Sequence, residues 1–496
     1  MKNSLYLLFL GITVGLFTSC SQEVNIESSI DVPSPLVEDY ANIVVPPNIA
    51  PLNFFVDAED GQEALVLTCD GKSISAVCKD GAIIPEMKKW RNWMNTAKGK
   101  QVKVEHCKQE GGKWISYQAF TFRVAEESID PYLVYRLIAP GYSLWNEMGI
   151  YQRNLETFEE TAILENTQTE RNCMNCHSFC VQNPEKMMFH LRAKHAGTIL
   201  NNEGKIKKLE TQTEQTMSAL VYPYWHPSGK YIAFSVNNTK QLFHTNHVNR
   251  IEVMDLASDV VVYDVERNEI ITTPLTFGEE SFETFPSFSA DGKTLFFCSA
   301  HKQTLPDSIE SLKYHLCAVS FDETTRTFGN QVDTIFHAEK MDKSVSFPRI
   351  SPDGKFLMVT LSSHATFPIW HQEADLWMLD VQNEYKPVSL NILNSPSVES
   401  YHSWSSNGRW VVFSSRRTDG LHTRPYIAYI AADGTVEKPF VLPQKRGDFY
   451  QVRMTSFNIP ELVKSKVKIG RHSLIQKVLG NEMEQVKMSA NYNLTK

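Results

Sequence analysis

One pattern occurs four times in the second half of the chain and limits the possible folds more than any other feature. Each copy has a hydrophobic strand, a tight turn with a glycine, and a second strand that ends in Phe-Ser or a close relative. The copies are residues 222–235, 285–298, 347–360 and 401–414, with turn glycines Gly229, Gly292, Gly354 and Gly408. An Asp-Gly or Asn-Gly turn favours a β-hairpin because these residues tolerate positive φ.

A further strand follows each hairpin, over residues 259–264, 314–321, 375–380 and 425–430. Repeats of roughly 50 to 60 residues with about four strands each are typical of a β-propeller. The repeats resemble the WD40-like repeats of TolB-type propellers. We therefore predict an all-β-dominated chain with a TolB-like propeller over residues 198–460. Strands at 198–200 and 205–210, paired with residues 450–457, would close a ring of five blades, with six as the alternative.

The first twenty residues have the pattern of an export signal. Lys2 precedes an apolar stretch over residues 5–17, and Phe17-Thr18-Ser19-Cys20 resembles a lipobox. We predict a lipoprotein signal peptide over residues 1–20, lipidation of Cys20 and a tether over residues 21–45. The alternative is an ordinary secretory signal. Either signal places the mature chain in the cell envelope, facing the periplasm or at the outer membrane.

Composition limits the class of partner. The formal net charge is -8, and a nucleic-acid binder would show a basic face instead. We therefore expect envelope proteins that dock on the propeller, and a membrane held through the lipid anchor, but no nucleic acid.

Residues 46–155 alternate short apolar runs with glycine-containing turns, which predicts a small β-sandwich. Residues 86–96 form the one expected helix there, and its Trp90 and Trp93 are expected to pack in the core. Residues 461–496 form a C-terminal tail with no motif.

Residues 156–197, between these two modules, contain Cys173-Met174-Asn175-Cys176-His177. Two cysteines at this spacing can each form a thioether to a haem vinyl group, and the adjacent histidine then ligates the iron. We predict a short helical segment that binds haem c covalently through Cys173 and Cys176, with His177 as the proximal iron ligand.

The second axial ligand of that iron would come from residues 184–195, which we predict to be helical. His195 is the first candidate and His190 the second, since two histidines so close to the motif favour bis-histidine ligation. Met187 and Met188 are the remaining candidates.

Two other interpretations of the cysteines stay open. Cys173, Cys176, His190 and His195 have the spacing of a Cys2His2 zinc site, in which Cys180 could substitute. A disulfide between Cys173 and Cys176, or with Cys180, is the third interpretation. Elsewhere, Cys298 and Cys317 on neighbouring strands could form a disulfide or remain as two packed thiols.

Residues 132–272 resemble a set of envelope proteins that join a haem-c motif to a TolB-like propeller and are labelled cytochrome-c-biogenesis or TolB-like proteins. Residues 135–142, 148–154, 189–192 and 241–245 carry the likeness. It implies this architecture and the haem. We predict a membrane-anchored, extracytoplasmic c-type haem protein with a β-propeller docking platform, which acts in electron transfer or in protein interaction in the envelope.

The alternative function is a non-enzymatic binding scaffold with structural zinc or a disulfide. An enzyme acting at an open haem or in the channel is a weaker third hypothesis. A propeller peptidase is excluded because the chain has no Gly-x-Ser-x-Gly pentapeptide.

Overall fold

The structure is a computed structural model that describes residues 24–140 and 147–490. The predicted signal peptide and Cys20 lie outside the described residues. No helix within the described ranges is both long and apolar enough to cross a membrane.

The N-terminal module, residues 26–124, consists of a seven-stranded sheet, a two-stranded sheet and one helix. Its elements are β1 (Ile26–Ser29), β2 (Val44–Val45), β3 (Phe54–Phe55), β4 (Glu63–Cys69), β5 (Lys72–Val77), β6 (Ala82–Ile83), α1 (Met87–Ala97), β7 (Gln101–Glu110), β8 (Lys113–Ser116) and β9 (Phe120–Val124). The large sheet has the order β1-β8-β7-β4-β5, with β9 between β7 and β2.

This module differs from the predicted sandwich because the buried face of its large sheet packs mainly on α1 and the propeller, and the second sheet has only the two short strands β3 and β6. Trp90 of α1 is fully buried, as expected for a core residue, in one hydrophobic cluster with Trp410 and Tyr135 of the propeller. Part of the predicted tether also belongs to this core, since Val44 and Val45 are buried and β2 pairs with β9.

Six sheets follow, which we call blades 1 to 6. Blade 1 begins with β10 (Tyr132–Ile138), β11 (Met148–Asn154) and β12 (Glu160–Glu165). Blade 2 contains β13 (Cys173–Cys180), β14 (Asn183–Arg192), β15 (Gly197–Asn202) and β16 (Lys205–Glu210). Blade 3 contains β17 (Leu220–Trp225), β18 (Tyr231–Phe243), β19 (Ile251–Asp264) and β20 (Glu269–Ile271).

Blade 4 contains β21 (Ser281–Phe288), β22 (Thr294–His301), β23 (His315–Asp322), β24 (Thr327–Phe328) and β25 (Asp333–Phe336). Blade 5 contains β26 (Ser344–Ile350), β27 (Phe356–Ser362), β28 (Asp375–Asp380) and β29 (Lys386–Val388). Blade 6 contains β30 (Glu399–Trp404), β31 (Trp410–Ser415), β32 (Arg424–Tyr429) and β33 (Phe440–Val441). The chain ends with α2 (Phe449–Val452), β34 (Ser456–Val463), α3 (Arg471–Leu479), β35 (Glu484–Gln485) and β36 (Lys487–Met488).

The C-terminal strand β34 completes blade 1 by pairing antiparallel with β10, so that Tyr132 lies opposite Val463 and Ile138 opposite Ser456. Each inner strand (β13, β17, β21, β26, β30 and β34) contacts the next, and β34 contacts β13, which closes a six-bladed ring. The propeller prediction is confirmed, and the blade count is the alternative value of six. The ring spans residues 132–463, wider than predicted, because blade 1 and the first two strands of blade 2 precede residue 198. Residues 198–210 are outer strands of blade 2, and they pair with β35 and not with residues 450–457.

All six inner strands have the same irregularity. One residue in each has positive φ between 48° and 55°, and the pairing with the next strand shifts register there: Cys176, Tyr222, Phe285, Phe347, Tyr401 and Ile459. We call these the bulge positions. Such β-bulges bend a strand and redirect side chains, and here they recur at the wall of the central channel.

The predicted helical segment was wrong, because Cys173–Cys180 and Asn183–Arg192 are the strands β13 and β14 of a hairpin. The segment forms a strand because its sequence Cys176-His177-Ser178-Phe179 matches the first strand of the blade 6 repeat, residues 401–404. The motif is therefore part of the propeller wall.

Candidate functional site

The central channel is blocked at the level of the bulge positions by an aromatic stack. Ring centroids of Tyr222 and Phe285 are 4.6 Å apart, those of Phe285 and Phe347 are 4.4 Å apart, and those of Phe347 and Tyr401 are 5.1 Å apart. Phe367 lies 6.0 to 6.4 Å from all four rings. Offset and edge-on contacts of this kind stabilise a buried cluster beyond the area it buries.

A cavity of about 150 Å³ lies on the side of the stack that faces the hairpin turns. Phe347 and Tyr401 of the stack line this cavity, which we call the socket. Its wall includes the polar side chains His177, Tyr224, Arg349, His402 and Glu461, together with Trp225 and Trp404.

Arg349 is the charged group of this socket. Its guanidinium lies 5.1 Å from the centre of the Tyr224 ring, and burial lowers its pKa. The side chain donates to the Pro348 carbonyl oxygen at 2.8 Å, and within the described ranges it forms no ion pair.

Glu461 does not neutralise this cation. Burial raises the pKa of Glu461 to about 8, although the N–H of Phe179 donates to its Oε1 at 3.0 Å. The Arg349 guanidinium lowers this pKa slightly, but within the described ranges the two side chains form no ion pair.

His177 and His402 follow equivalent bulge positions in blades 2 and 6. Burial, with a smaller effect of nearby arginines, lowers the pKa of each to about 3, so both are neutral. His402 donates from Nε2 to the Met358 carbonyl oxygen at 3.0 Å. Neither ring nitrogen of His177 has a hydrogen-bond partner among the described residues, although the backbone of Ile459 and Val134 is close enough to raise its pKa slightly.

The two motif cysteines do not line this socket. Cys173 packs in the hydrophobic cluster between blades 1 and 2, where burial raises its pKa and its sulfur accepts a hydrogen bond from Asn175 Nδ2 at 3.1 Å. Cys176 occupies the bulge position of β13 and is buried. It lies close enough to Tyr222 and Tyr401 of the aromatic stack to raise their pKa values, whereas haem attachment requires both thiols beside the same porphyrin.

The predicted distal ligands are engaged elsewhere. His190 Nδ1 is 3.2 Å from Thr198 Oγ1, and His195 Nε2 is 3.3 Å from Glu170 Oε2. Met187 and Met188 point to opposite faces of β14 and are buried in different hydrophobic clusters.

The residues of the two alternative interpretations, a disulfide and a zinc site, are also not brought together in the described ranges. All eight cysteines in the described ranges are free thiols. Cys298 lies opposite Leu316 and Cys317 opposite Phe297, so the two sulfurs belong to different inter-blade clusters. Within the described part of the chain, the Cys2His2 set is not brought together as a group that could hold a metal ion.

These placements do not fit a covalent haem. The unpartnered nitrogens of His177 are compatible with iron ligation, but Cys173 packs in the cluster between blades 1 and 2, and Cys176 lies beside the aromatic stack. The socket is also below the roughly 300 Å³ at which pockets for larger ligands begin.

Sequence reasoning missed the socket residues. A signal was present two residues after each bulge position, where the six strands have Ser178, Tyr224, Ser287, Arg349, Ser403 and Glu461. Three of the six blades have serine at this position, so the charged residues Arg349 and Glu461 there indicate a functional part of the channel wall.

No protein-family model matches the chain, and no curated protein matches it. Solved structures are similar in fold. TolB from Acinetobacter baumannii is 13% identical with a TM-score of 0.40, over 73% of this chain and 78% of that one. Prolyl oligopeptidase B from Galerina marginata is 9% identical with a TM-score of 0.35, over 69% of this chain and 42% of the enzyme. The propeller domain of the Trilobed protease from Pyrococcus furiosus is 11% identical with a TM-score of 0.32, over 69% and 82%. At this level the likeness is one of fold, and this chain's propeller is established by its own six sheets.

Proposed function

We propose that the chain is an extracytoplasmic binding protein, anchored in the envelope through a lipid on Cys20, whose propeller socket receives a carboxylate-bearing segment of a partner. The observation that carries this proposal is Arg349, a partly buried guanidinium without an ion-pair partner in the described ranges, at the wall of the socket. Export and lipidation rest on the sequence of the first twenty residues.

The chemistry of the socket favours an anionic group of small size. Arginine binds a carboxylate through two parallel N–H groups, and such charge-assisted hydrogen bonds are strongest where water is excluded. Capture of a terminal carboxylate is a recurring mode of peptide recognition.

A haem-dependent electron carrier is the second candidate, and the unpartnered imidazole of His177 favours it. The placement of Cys173 and Cys176 opposes it. We therefore rank the binding platform above the electron carrier.

Peptide binding tests the proposal through the fluorescence of Trp225 and Trp404, which line the socket. The probe is a set of short peptides with a free C-terminal carboxylate, each paired with its C-terminal amide. Carboxylate peptides are expected to bind at least tenfold more tightly than their amides, and Arg349→Gln is expected to remove this difference. The matched control is Arg446→Gln, since Arg446 is exposed and pairs with Asp448 away from the socket. Equal binding of acid and amide, or an unchanged preference in Arg349→Gln, would overturn the proposal.

A further inference from the structure

An extended part of blade 3, which we call the arm, contacts blade 5. The arm is the extension of the β18–β19 hairpin, in which Leu242 lies opposite Glu252. Its residues Ile251 and Val253 pack in the hydrophobic cluster that contains Trp370, which lies in the connection between β27 and β28. The backbone N–H of Gln372 also donates to the Asn249 side chain at 3.3 Å.

Three side chains that can ligate a metal meet where the arm contacts this connection. Glu252 comes from the arm, and His364 and His371 come from the β27–β28 connection. His371 Nε2 is 2.8 Å from Glu252 Oε2, and His364 Nε2 is 3.5 Å from Glu252 Oε1. One ligand atom from each residue lies within 4.8 Å of the others, and no other such group of three occurs in the described ranges.

The far side of each imidazole is held by a second layer of polar groups. His364 Nδ1 is 2.8 Å from Ser363 Oγ, which donates to Glu373 Oε1 at 2.7 Å. His371 Nδ1 is 3.5 Å from the same Glu373 oxygen. Metal-ligating histidines characteristically present the other ring nitrogen to a carboxylate or hydroxyl, which fixes the ring so that Nε2 faces the ion.

We propose that Glu252, His364 and His371 form a binding site for a divalent transition-metal ion, of which zinc fits the donors best. Two imidazoles and one carboxylate are a known zinc donor set that leaves a fourth position for water or an incoming ligand atom. Zn–N and Zn–O distances of about 2.1 Å place tetrahedral donors about 3.4 Å apart. The histidine nitrogens lie 2.8 and 3.5 Å from the Glu252 oxygens, and one ligand atom from each residue lies within 4.8 Å of the others. Glu252 and His371 are almost completely buried, and His364 has 13% of its side chain exposed, which leaves one open side.

Zinc binding by the full chain tests the site after the protein has been stripped with a chelator. Isothermal titration with Zn²⁺ and metal analysis of the dialysed protein are expected to give one zinc per chain. His364→Gln is expected to weaken binding at least tenfold, and zinc is expected to raise the Tm of the original protein but not of this variant. The matched control is His315→Gln, because His315 also lies beside a carboxylate, 3.6 Å from Glu339, but outside the cluster.

Absence of stoichiometric zinc, or unchanged binding in His364→Gln, would overturn the proposal. A spectrum of the unsubstituted protein with Co²⁺ avoids any effect of the substitution on folding. Visible bands of a four-coordinate site with nitrogen and oxygen donors are expected. A thiolate-to-metal charge-transfer band would place the ion at the cysteines instead and contradict the site.

Discussion

Cys176 occupies in blade 2 the position that Tyr401 occupies in blade 6, with φ of 53° and 49° respectively. Each is followed by His-Ser and an aromatic residue, and each begins the register shift of its inner strand. The Cys-x-x-Cys-His sequence is thus at once a haem-attachment signature and a copy of the blade repeat. The structure uses it as the repeat.

The aromatic stack is expected to be a main source of propeller stability. Phe285 lies within 6.4 Å of three other rings and is 2% exposed, so Phe285→Ala removes buried area and leaves a cavity. A loss of about 3 to 5 kcal/mol in the free energy of unfolding is expected from urea denaturation. The control Met454→Ala, at a side chain that is 66% exposed, should change it by less than about 0.5 kcal/mol. Similar effects of both substitutions would show that the stack is not a main source of stability.

Ring closure by β34 is expected to be essential for cooperative unfolding. A chain that ends at residue 455 lacks the inner strand of blade 1 and leaves the edge of β10 unpaired, whereas one that ends at residue 483 lacks only the short edge strands β35 and β36. Calorimetry should show a single sharp transition for the second chain and none for the first. Cooperative unfolding of the chain that ends at 455 would show that closure is dispensable.

The protonated state of Glu461 should make stability fall as pH rises. Its pKa is raised to about 8 in the folded protein, while an unfolded glutamate titrates near 4.3. Between these values the folded state binds more protons than the unfolded state, so the free energy of unfolding decreases with pH, by up to about 1.4 kcal/mol per unit. Glu461→Gln keeps an acceptor for the Phe179 N–H and should remove this slope when stabilities at pH 5.5 and 8 are compared. An equal slope in both proteins would mean that Glu461 is ionised when folded.

The lowered pKa of His177 should make the free energy of unfolding decrease as pH falls. Its pKa is lowered to about 3 in the folded protein, while an unfolded histidine titrates near 6.5. The unfolded state therefore binds more protons between these values, and stability is lost as pH falls below about 6.5. His177→Phe removes this proton and two unpartnered buried nitrogens, so it should be neutral or stabilising at pH 8 and less sensitive to acid. Strong destabilisation at pH 8 would show that His177 has a required partner.

The four repeats with a turn glycine were sufficient to predict the propeller, because each copy has the same two hydrophobic strands and the same type of turn. Gly229 and Gly408, for example, have φ of 70° and 66° in the predicted turns. Helix α1 and the burial of Trp90 were also predictable from the apolar spacing and the local turn signals.

The remaining blades were hidden by substitutions at the positions that define the repeat. Blade 2 has a shorter turn of Val181 and Gln182 without a glycine, and Cys176 in place of the aromatic residue. The inner strand of blade 1, with Ile459 at the bulge position, comes from the far end of the chain, and no local pattern encodes its pairing with β10. The cluster of Glu252, His364 and His371 could not be predicted from the sequence either, because these residues are far apart in the chain and meet only through the arm of blade 3.

The most direct measurement is the intact mass and absorption spectrum of the protein exported by its native host. If Cys176 and His177 serve as blade residues, the mass should show no haem addition, both thiols should react with an alkylating reagent after unfolding, and no Soret band should appear. A mass increased by one haem, with Cys173 and Cys176 blocked as thioethers, would contradict the assignment of this strand and restore the electron carrier as the function.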